Sequence, residues 1–268
     1  MQVRVLPGAV GVLVRDRPAD VVVAADVGDP ARAGENAHLH RRFLADFYAG
    51  DFPGTFARGA RFQPEPFTGE ARTSGSAASL AGLEAALESG DAVAEELAIR
   101  RILLLHALAF AHGGMPLLYM GDELGLRNDP DWAADPAHAA DNRWMHRPPM
   151  DWAAAERRHD EGTVEGRIWA GLRRLASARR GARAVHAQGR SEPLWTSNHH
   201  VLALLREHAG ERLLLLANFT PLELAVQAGV ATGNGFRPAP AAAAPDGRPF
   251  EARGDFLVLA PYQFLWIA

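Results

Sequence analysis

The chain has 268 residues, of which 48% are hydrophobic and 22% are charged, and its formal net charge is -4. This balance is typical of a globular protein with one large domain or two smaller ones, and it gives no support for a nucleic-acid or anionic-membrane partner. The sequence contains no cysteine, which excludes disulfides, thiol catalysis and zinc-thiolate sites.

Two short apolar runs lie near the start of the chain. Val12, Leu13 and Val14 are followed by a charged, proline-containing tetrad, and three consecutive valines come next at 21–23. β-branched residues bounded in this way predict two short buried strands. Residues 1–33 also differ in composition from the rest of the chain, so we treat them as a separate segment.

The middle of the chain is predicted to be largely helical. Apolar residues at helical spacing predict helices around Phe43, over 76–87, over 92–112 and over 163–180. Residues 49–76 are rich in glycine and proline but carry regularly spaced phenylalanines, which predicts an ordered loop with its own small core. The continuous apolar run 116–120, directly after two glycines, predicts a strand buried on both faces.

From residue 183 onward the pattern changes to short strands. Such runs occupy 201–205, 212–219, 222–226 and 256–266. The sequence His208-Ala209-Gly210-Glu211 predicts a hairpin turn, and the Pro/Ala-rich tract at 237–249 predicts a low-complexity loop. Residues 183–268 therefore predict a small antiparallel β-sandwich.

Several longer motifs carry a resemblance to a known family. In chain order they are His40-Arg41-Arg42-Phe43-Leu44, Gly54-Thr55-Phe56-Ala57-Arg58-Gly59, Arg72-Thr73-Ser74-Gly75, Pro116-Leu117-Leu118-Tyr119-Met120-Gly121-Asp122-Glu123 and Asn142-Arg143-Trp144-Met145-His146-Arg147-Pro148. With these motifs, the chain from about Gly34 onward resembles the amylosucrases and sucrose hydrolases of the α-amylase superfamily (glycoside hydrolase family 13). The resemblance is to the C-terminal portion of those enzymes.

The resemblance implies a fold of the α/β plus all-β class. Residues 34–182 would form the C-terminal part of a (β/α)8 TIM barrel, including a long insertion at 34–76, and residues 183–268 would form the sandwich. It also implies glucosyl transfer from sucrose to an α-glucan through an Asp nucleophile, a Glu acid/base and a second Asp. That second Asp should lie in a His-Asp-Asp motif just before Gly34, and the sequence has no such motif there.

A complete barrel takes ~250 residues, more than residues 34–182 supply. We therefore expect a truncated chain with no catalytic residues and no activity of its own, with sucrose and α-glucan as ancestral ligands. Two alternatives stay open. One is a non-catalytic carbohydrate-binding or interaction module, and the other is one half of a split sucrose hydrolase that pairs with an upstream barrel fragment.

Three arginines are the candidate substrate-binding residues. By the resemblance, Arg143 helps to close the glucosyl pocket, and Arg41 and Arg72 line acceptor subsites. The planar fork of a guanidinium suits a carboxylate or a pair of hydroxyls. Asp122 and Glu123 follow the predicted strand, at the end where barrel enzymes carry out their chemistry. The family does not use them as nucleophile or acid, so we expect them to have a structural role.

The tryptophans and glycines near the predicted strand are expected to have packing or turn roles. Trp132 and Trp144 could stack on sugar rings, although tryptophan at such positions more often packs within the protein. The glycines before the predicted strand, and Gly121 after it, predict turns and not a phosphate-binding loop.

No metal site, cofactor or membrane segment is expected. The histidine pairs His38/His40 and His199/His200 have no further ligands at suitable spacing. No run approaches the ~20 apolar residues that span a bilayer. The first residues are interrupted by arginine, unlike a signal peptide. We therefore expect a cytoplasmic protein.

Overall fold

Three layers make up most of the described part of the chain. A computed structural model describes residues 12–15, 20–23, 41–67, 69–238, 245 and 247–268. A four-stranded antiparallel sheet lies in the middle, helices pack against one of its faces, and a three-stranded antiparallel sheet packs against the other. The central sheet therefore separates two apolar cores.

Two long helices form the first layer, α4 (Ala92–Ala111) and α6 (Val164–Gly181), and they confirm the helices predicted at 92–112 and 163–180. The side chains of Asp91 and Thr163 accept hydrogen bonds from free amides at the helix starts. The other helices are α1 (residues 41–49), α2 (Ala77–Leu80), α3 (Leu83–Ser89), α5 (Trp152–Arg157) and α7 (Gly229–Thr232), with 3-10 turns at Asp122–Leu124, Trp132–Ala134, Asn142–His146 and Arg183–Val185.

The single helix predicted at 76–87 is wrong, because the chain breaks it into α2 and α3. Gly82 lies between them with a φ of 89°, a left-handed conformation that ends one helix and starts the next. A Cβ at this glycine would come within 2.8 Å of the Phe56 ring. The close approach of the loop therefore depends on the glycine.

The strands after residue 183 confirm the predicted antiparallel pattern. The hairpin turn predicted after His208 joins β6 to β7, with φ values of 51° at Ala209 and 79° at Gly210. The long strand predicted at 256–266 is in fact two, because Tyr262 turns the chain with a φ of 51°. The strands are β5 (Arg190–Leu194), β6 (Val201–His208), β7 (Glu211–Asn218), β8 (Leu224–Gln227), β9 (Glu251–Arg253), β10 (Phe256–Leu259) and β11 (Phe264–Ile267).

The two sheets face each other across a shared core, as in a sandwich. Their orders are β11-β7-β6-β5 and β8-β10-β9. Strand β7 contributes to both cores: Leu214 and Leu216 pack toward the smaller sheet, whereas Leu215 and Ala217 pack with α4 and α6. A strand buried on both faces explains the unbroken apolar run in the sequence. The tract predicted as a loop at 237–249 lies largely outside the described residues.

The loop predicted at 49–76 has its own aromatic core, as expected. The ring centroids of Phe43 and Phe52 are 4.8 Å apart, and those of Phe47 and Phe56 are 5.2 Å apart. Phe67 does not join them, since 96% of it is exposed. The loop also contains a small hairpin of β3 (Ala60–Phe62) and β4 (Arg72–Ser74).

The buried strand predicted at 116–120 is wrong. This segment forms no ladder with another described residue, and Leu117 is 82% exposed. A parallel strand is buried only when neighbouring strands flank it, and every ladder among the described residues is antiparallel. The barrel itself is therefore not seen in this part of the chain.

An N-terminal hairpin confirms the two short strands predicted before residue 24. Strand β1 (Val12–Arg15) pairs antiparallel with β2 (Asp20–Val23), and the two form a sheet of their own. Among the helices of the described residues, none is long and apolar enough to cross a membrane.

Candidate functional site

The candidate site is built where the β3–β4 hairpin meets the polar segment around residue 142. The side-chain amide of Asn142 donates to the carbonyl of Arg61 at 2.7 Å, and its oxygen accepts from the Ser74 hydroxyl at 2.9 Å. One side chain thus bridges both strands of the hairpin. Because both contacts are part-buried, they hold the segment and the hairpin as one unit.

Arg143 is held by Asp141 and by an aromatic ring. Its Nε and Nη2 donate to the two carboxylate oxygens at 2.8 and 2.6 Å, in the bidentate geometry that suits a guanidinium. Its Cζ lies 4.8 Å from the centre of the Phe62 ring. The hydrogen bonds from Arg143 lower the pKa of Asp141 to about 2. The aspartate is therefore ionised at neutral pH, and the pair presents a fixed polar edge to solvent.

A shallow cavity of about 440 Å³ opens beside this pair. Phe62 and Trp132 supply aromatic surface to it, while Asp141, Asn142 and Arg143 supply carboxylate, amide and guanidinium groups. Gln63, Ala139 and Ala140 complete the lining. Aromatic faces next to planar hydrogen-bonding groups match a ligand with apolar faces and hydroxyl-bearing edges.

A second cavity, of about 450 Å³, adjoins the first through Trp132, which lines both. Its wall includes Asp51, Arg58 and Asn128. Asn128 is fixed there, because its oxygen accepts from the Ser76 amide at 2.8 Å. The Trp132 indole therefore lies between two cavities that polar side chains line.

The three predicted arginines lie around the same hairpin. Arg72 is exposed and lies directly opposite Phe62 in the ladder, so the two side chains share the face on which Arg143 contacts the ring. Arg41, on α1, lies 3.7 Å from Glu70, two residues before Arg72. Arg143 thus contacts the Phe62 ring, Arg72 lies opposite Phe62 in the ladder, and Arg41 approaches the hairpin through Glu70.

The adjacent acids Asp122 and Glu123 close their own turn. The amide of Tyr119 donates to Asp122 at 3.2 Å, and the amide of Gly121 donates to Glu123 at 2.9 Å. His106 lies 3.9 Å from Asp122 and donates through Nδ1 to the Ile102 carbonyl. These contacts agree with the structural role expected for the two acids.

The two predicted tryptophans differ in the contacts that their rings make. Trp144 stacks on His138 with ring centroids 3.7 Å apart, and the Arg147 guanidinium lies 5.3 Å from its ring. Trp132 has no such ring partner among the pairs found in the described residues, and it lines both cavities. Of the two predicted tryptophans, Trp132 is the one placed to contact a ligand.

No metal-binding cluster of His, Cys, Asp or Glu occurs among the described residues. His199 packs against Trp195 at 4.7 Å, whereas His38 and His40 lie outside the described part. Burial, with the nearby charges of Arg147 and Arg143, lowers the pKa of His146. These surroundings therefore favour the neutral form of the His146 imidazole.

Sequence reasoning does not find Phe62, Gln63, Asp141 and Asn142 as members of the site. Asp141 and Asn142 directly precede Arg143, so their proximity is readable from the motif. Phe62 lies 81 positions before Arg143, and only the fold brings the two together.

The chain is similar to one domain family and to several enzymes of solved structure. The family model described as "D-apionate lactonase, C-terminal immunoglobulin-like domain" matches residues 198–267. Among solved structures, Amy13B of Eubacterium rectale is 19% identical, with a TM-score of 0.48 over 72% of this chain and 37% of that one.

Two further solved structures are similar to this chain. The α-glucosyl transfer enzyme XgtA is 19% identical, with a TM-score of 0.44 over 63% of this chain and 35% of that one. Trehalulose synthase MutB from Pseudomonas mesoacidophila MX-45 is 19% identical, with a TM-score of 0.42 over 63% and 38%. The chain thus spans well under half the length of these structures.

Proposed function

We propose that this chain binds α-linked glucose units at the cavity beside Phe62, as the C-terminal part of a sucrose-using α-glucosyltransferase would, and that it does not cleave them by itself. One observation carries the proposal: the Asp141–Arg143 pair is held against Phe62 in a cavity that Trp132 also lines. The sequence motifs around Arg41, Arg72 and Arg143 support the choice of sugar.

The chemistry of the cavity suits a pyranose. The C–H face of a sugar ring packs on aromatic faces such as those of Phe62 and Trp132. Neighbouring hydroxyls match the paired donors of a guanidinium and the paired acceptors of a carboxylate. The cavity, of about 440 Å³, is also in the range of known small-ligand sites, about 300–1,000 Å³.

The same groups are unsuited to glycoside hydrolysis. Retaining hydrolysis needs two opposed carboxyl groups about 5 Å apart, one of which stays protonated to act as an acid. Asp141 is ionised and occupied by Arg143, while Asp122 and Glu123 accept hydrogen bonds from their own turn. Binding without turnover is the function that this geometry supports.

Calorimetric titration with maltooligosaccharides and with sucrose tests the proposal. We expect heat of binding with millimolar ligand, and a loss of affinity of about tenfold or more in Trp132→Ala and Arg143→Gln, because the first removes aromatic surface and the second removes paired hydrogen-bond donors from the cavity. Trp195→Ala is the matched control, since Trp195 is 63% exposed but lies away from the cavity residues.

Two results would contradict the proposal. The absence of heat with the unsubstituted chain at millimolar ligand would remove the binding function. Release of glucose or fructose from sucrose by the purified chain would show that catalytic groups are present after all.

A further inference from the structure

A run of largely exposed apolar residues occupies the segment 115–120, which follows α4 and its glycine turn. Met115 is 93% exposed and Leu117 is 82% exposed, and Leu118, Tyr119 and Met120 are exposed as well. Every residue of the segment is apolar or aromatic, so no charged side chain shields it from water. Such a run in water marks a surface that another element covers.

The segment is held in place at both ends. At its start, Arg179 of α6 donates to the carbonyls of Phe110 and Gly114. At its end, the amide of Asp122 donates to the carbonyl of Tyr119 at 3.0 Å. The exposed chain is therefore a fixed feature of the surface between two anchored turns.

Its backbone is also available for pairing. Within the described part of the chain, the amides of Met115, Leu117 and Leu118 donate no backbone hydrogen bond. A segment whose amides have no backbone partner can recruit a further strand, as an open sheet edge does.

A second incomplete element lies in the same chain. The β1–β2 hairpin, with sequences VLVR and DVVV, forms a two-stranded sheet with no third strand among the described residues. A two-stranded hairpin is at best marginally stable in water, whereas a third strand or a packing partner makes it stable. Within the described residues the hairpin has no third strand, and the segment 115–120 pairs with no strand.

We propose that the β1–β2 hairpin docks on the segment 115–120 and forms a three-stranded sheet with it. The strands match in character, because both are apolar at consecutive positions and so suit a sheet that is covered on both faces. The 17 residues at 24–40 set an upper limit of about 55 Å on the distance between the end of β2 and the start of α1. Docking within one chain has an effective concentration in the millimolar range, which favours the hairpin over a second copy.

Because the chain has no cysteine, engineered cysteines give a direct test. Leu117→Cys is combined in turn with Val12→Cys, Val14→Cys, Val21→Cys and Val23→Cys, because a disulfide needs Cα atoms within about 7 Å. In the control set, Leu222→Cys replaces Leu117→Cys, since Leu222 is also exposed, at 53%, in the sandwich.

We expect at least one Leu117→Cys pair to form a disulfide within the monomer about tenfold faster than its Leu222→Cys counterpart, at a rate independent of protein concentration. Equal rates in the two sets overturn the proposal. Disulfide dimers whose formation rises with concentration also overturn it, because they identify a second copy as the occupant.

Hydrogen exchange of the full chain provides a second measurement that needs no cysteine. Val22→Pro removes a backbone N–H from the middle of β2 and should raise the exchange rates of the Leu117 and Leu118 amides by about tenfold. Exchange at Leu214 and Leu216 in β7 serves as the internal control for the rest of the fold. Unchanged rates at Leu117 and Leu118 would refute docking, and the result does not depend on sugar binding.

Discussion

Gly171→Ala should destabilise the chain even though alanine is the better helix former. Gly171 lies inside α6 where that helix meets α4. A Cβ at this position would lie 2.5 and 2.7 Å from the two methyl carbons of Leu103. Leu103 belongs to the buried core and is only 8% exposed, so its methyls have little room to turn away. The close approach of the two helices therefore requires a residue without a side chain.

Two opposing effects set the magnitude. Replacing glycine by alanine inside a helix gains about 1 kcal/mol, whereas overpacking a core costs about 1–3 kcal/mol. We expect a net loss of about 1 kcal/mol for Gly171→Ala. Gly181→Ala is the matched control: Gly181 lies in the same helix, and a Cβ there meets nothing within 4 Å. We expect it to stay within about 0.5 kcal/mol of the unsubstituted chain.

Urea unfolding followed by circular dichroism measures both variants and the double variant Leu103→Ala/Gly171→Ala. Leu103→Ala alone should cost about 2–5 kcal/mol. The methyl added at position 171 fills part of the vacated space, so the double variant should be more stable than the sum of the single changes by about 0.5–3 kcal/mol. A Gly171→Ala chain as stable as Gly181→Ala would refute the reasoning about the helix contact.

Two further predictions concern the glycine turn and the Asp141–Arg143 pair. Gly113→Ala should destabilise the chain by about 1–3 kcal/mol more than Gly114→Ala in the same urea assay. Both glycines have positive φ, but only a Cβ at Gly113 overlaps the buried Arg206 guanidinium, so equal losses of stability would contradict this contact. Arg143→Gln should raise the pKa of Asp141 from about 2 toward its usual value, measured by NMR titration of the carboxyl carbon. Since the folded-state pKa is lowered, the pair stabilises the fold above the ordinary pKa and loses that effect as the pH falls toward 2; an unchanged titration in the variant would show that Arg143 is not the cause.

Much of the fold could be predicted from local pattern. Helices α4 and α6 combine an N-cap with a long apolar face, and β6 and β7 flank a turn whose residues tolerate positive φ. The short strands β5 and β9 escape prediction, because neither carries a clear apolar alternation. The error at 116–120 has another origin: an apolar run predicts a buried strand only if neighbouring strands exist, and pattern alone does not supply them.

The site could be predicted only in part. Arg143 is identified from its motif, and the adjacent Asp141 lies beside the same motif. The ring of Phe62 and the bridge from Asn142 to Ser74 join positions that are distant in the chain, so no local spacing reports them. Asp122 and Glu123 differ in this respect, because their carboxylates accept hydrogen bonds from amides of the same turn. Such local contacts agree with the structural role expected from the sequence.

The double burial of β7 has a consequence for how the chain unfolds. Leu214 and Leu216 pack in one core, while Leu215 and Ala217 pack in the other. Unfolding of β7 therefore exposes both cores to water at once. Heat or urea should then take the helical layer and the sandwich apart in a single cooperative step. A fragment that starts at residue 183 would keep the strand but leave its helix-facing residues, Leu215 and Ala217, in water, and should aggregate more readily than the whole chain.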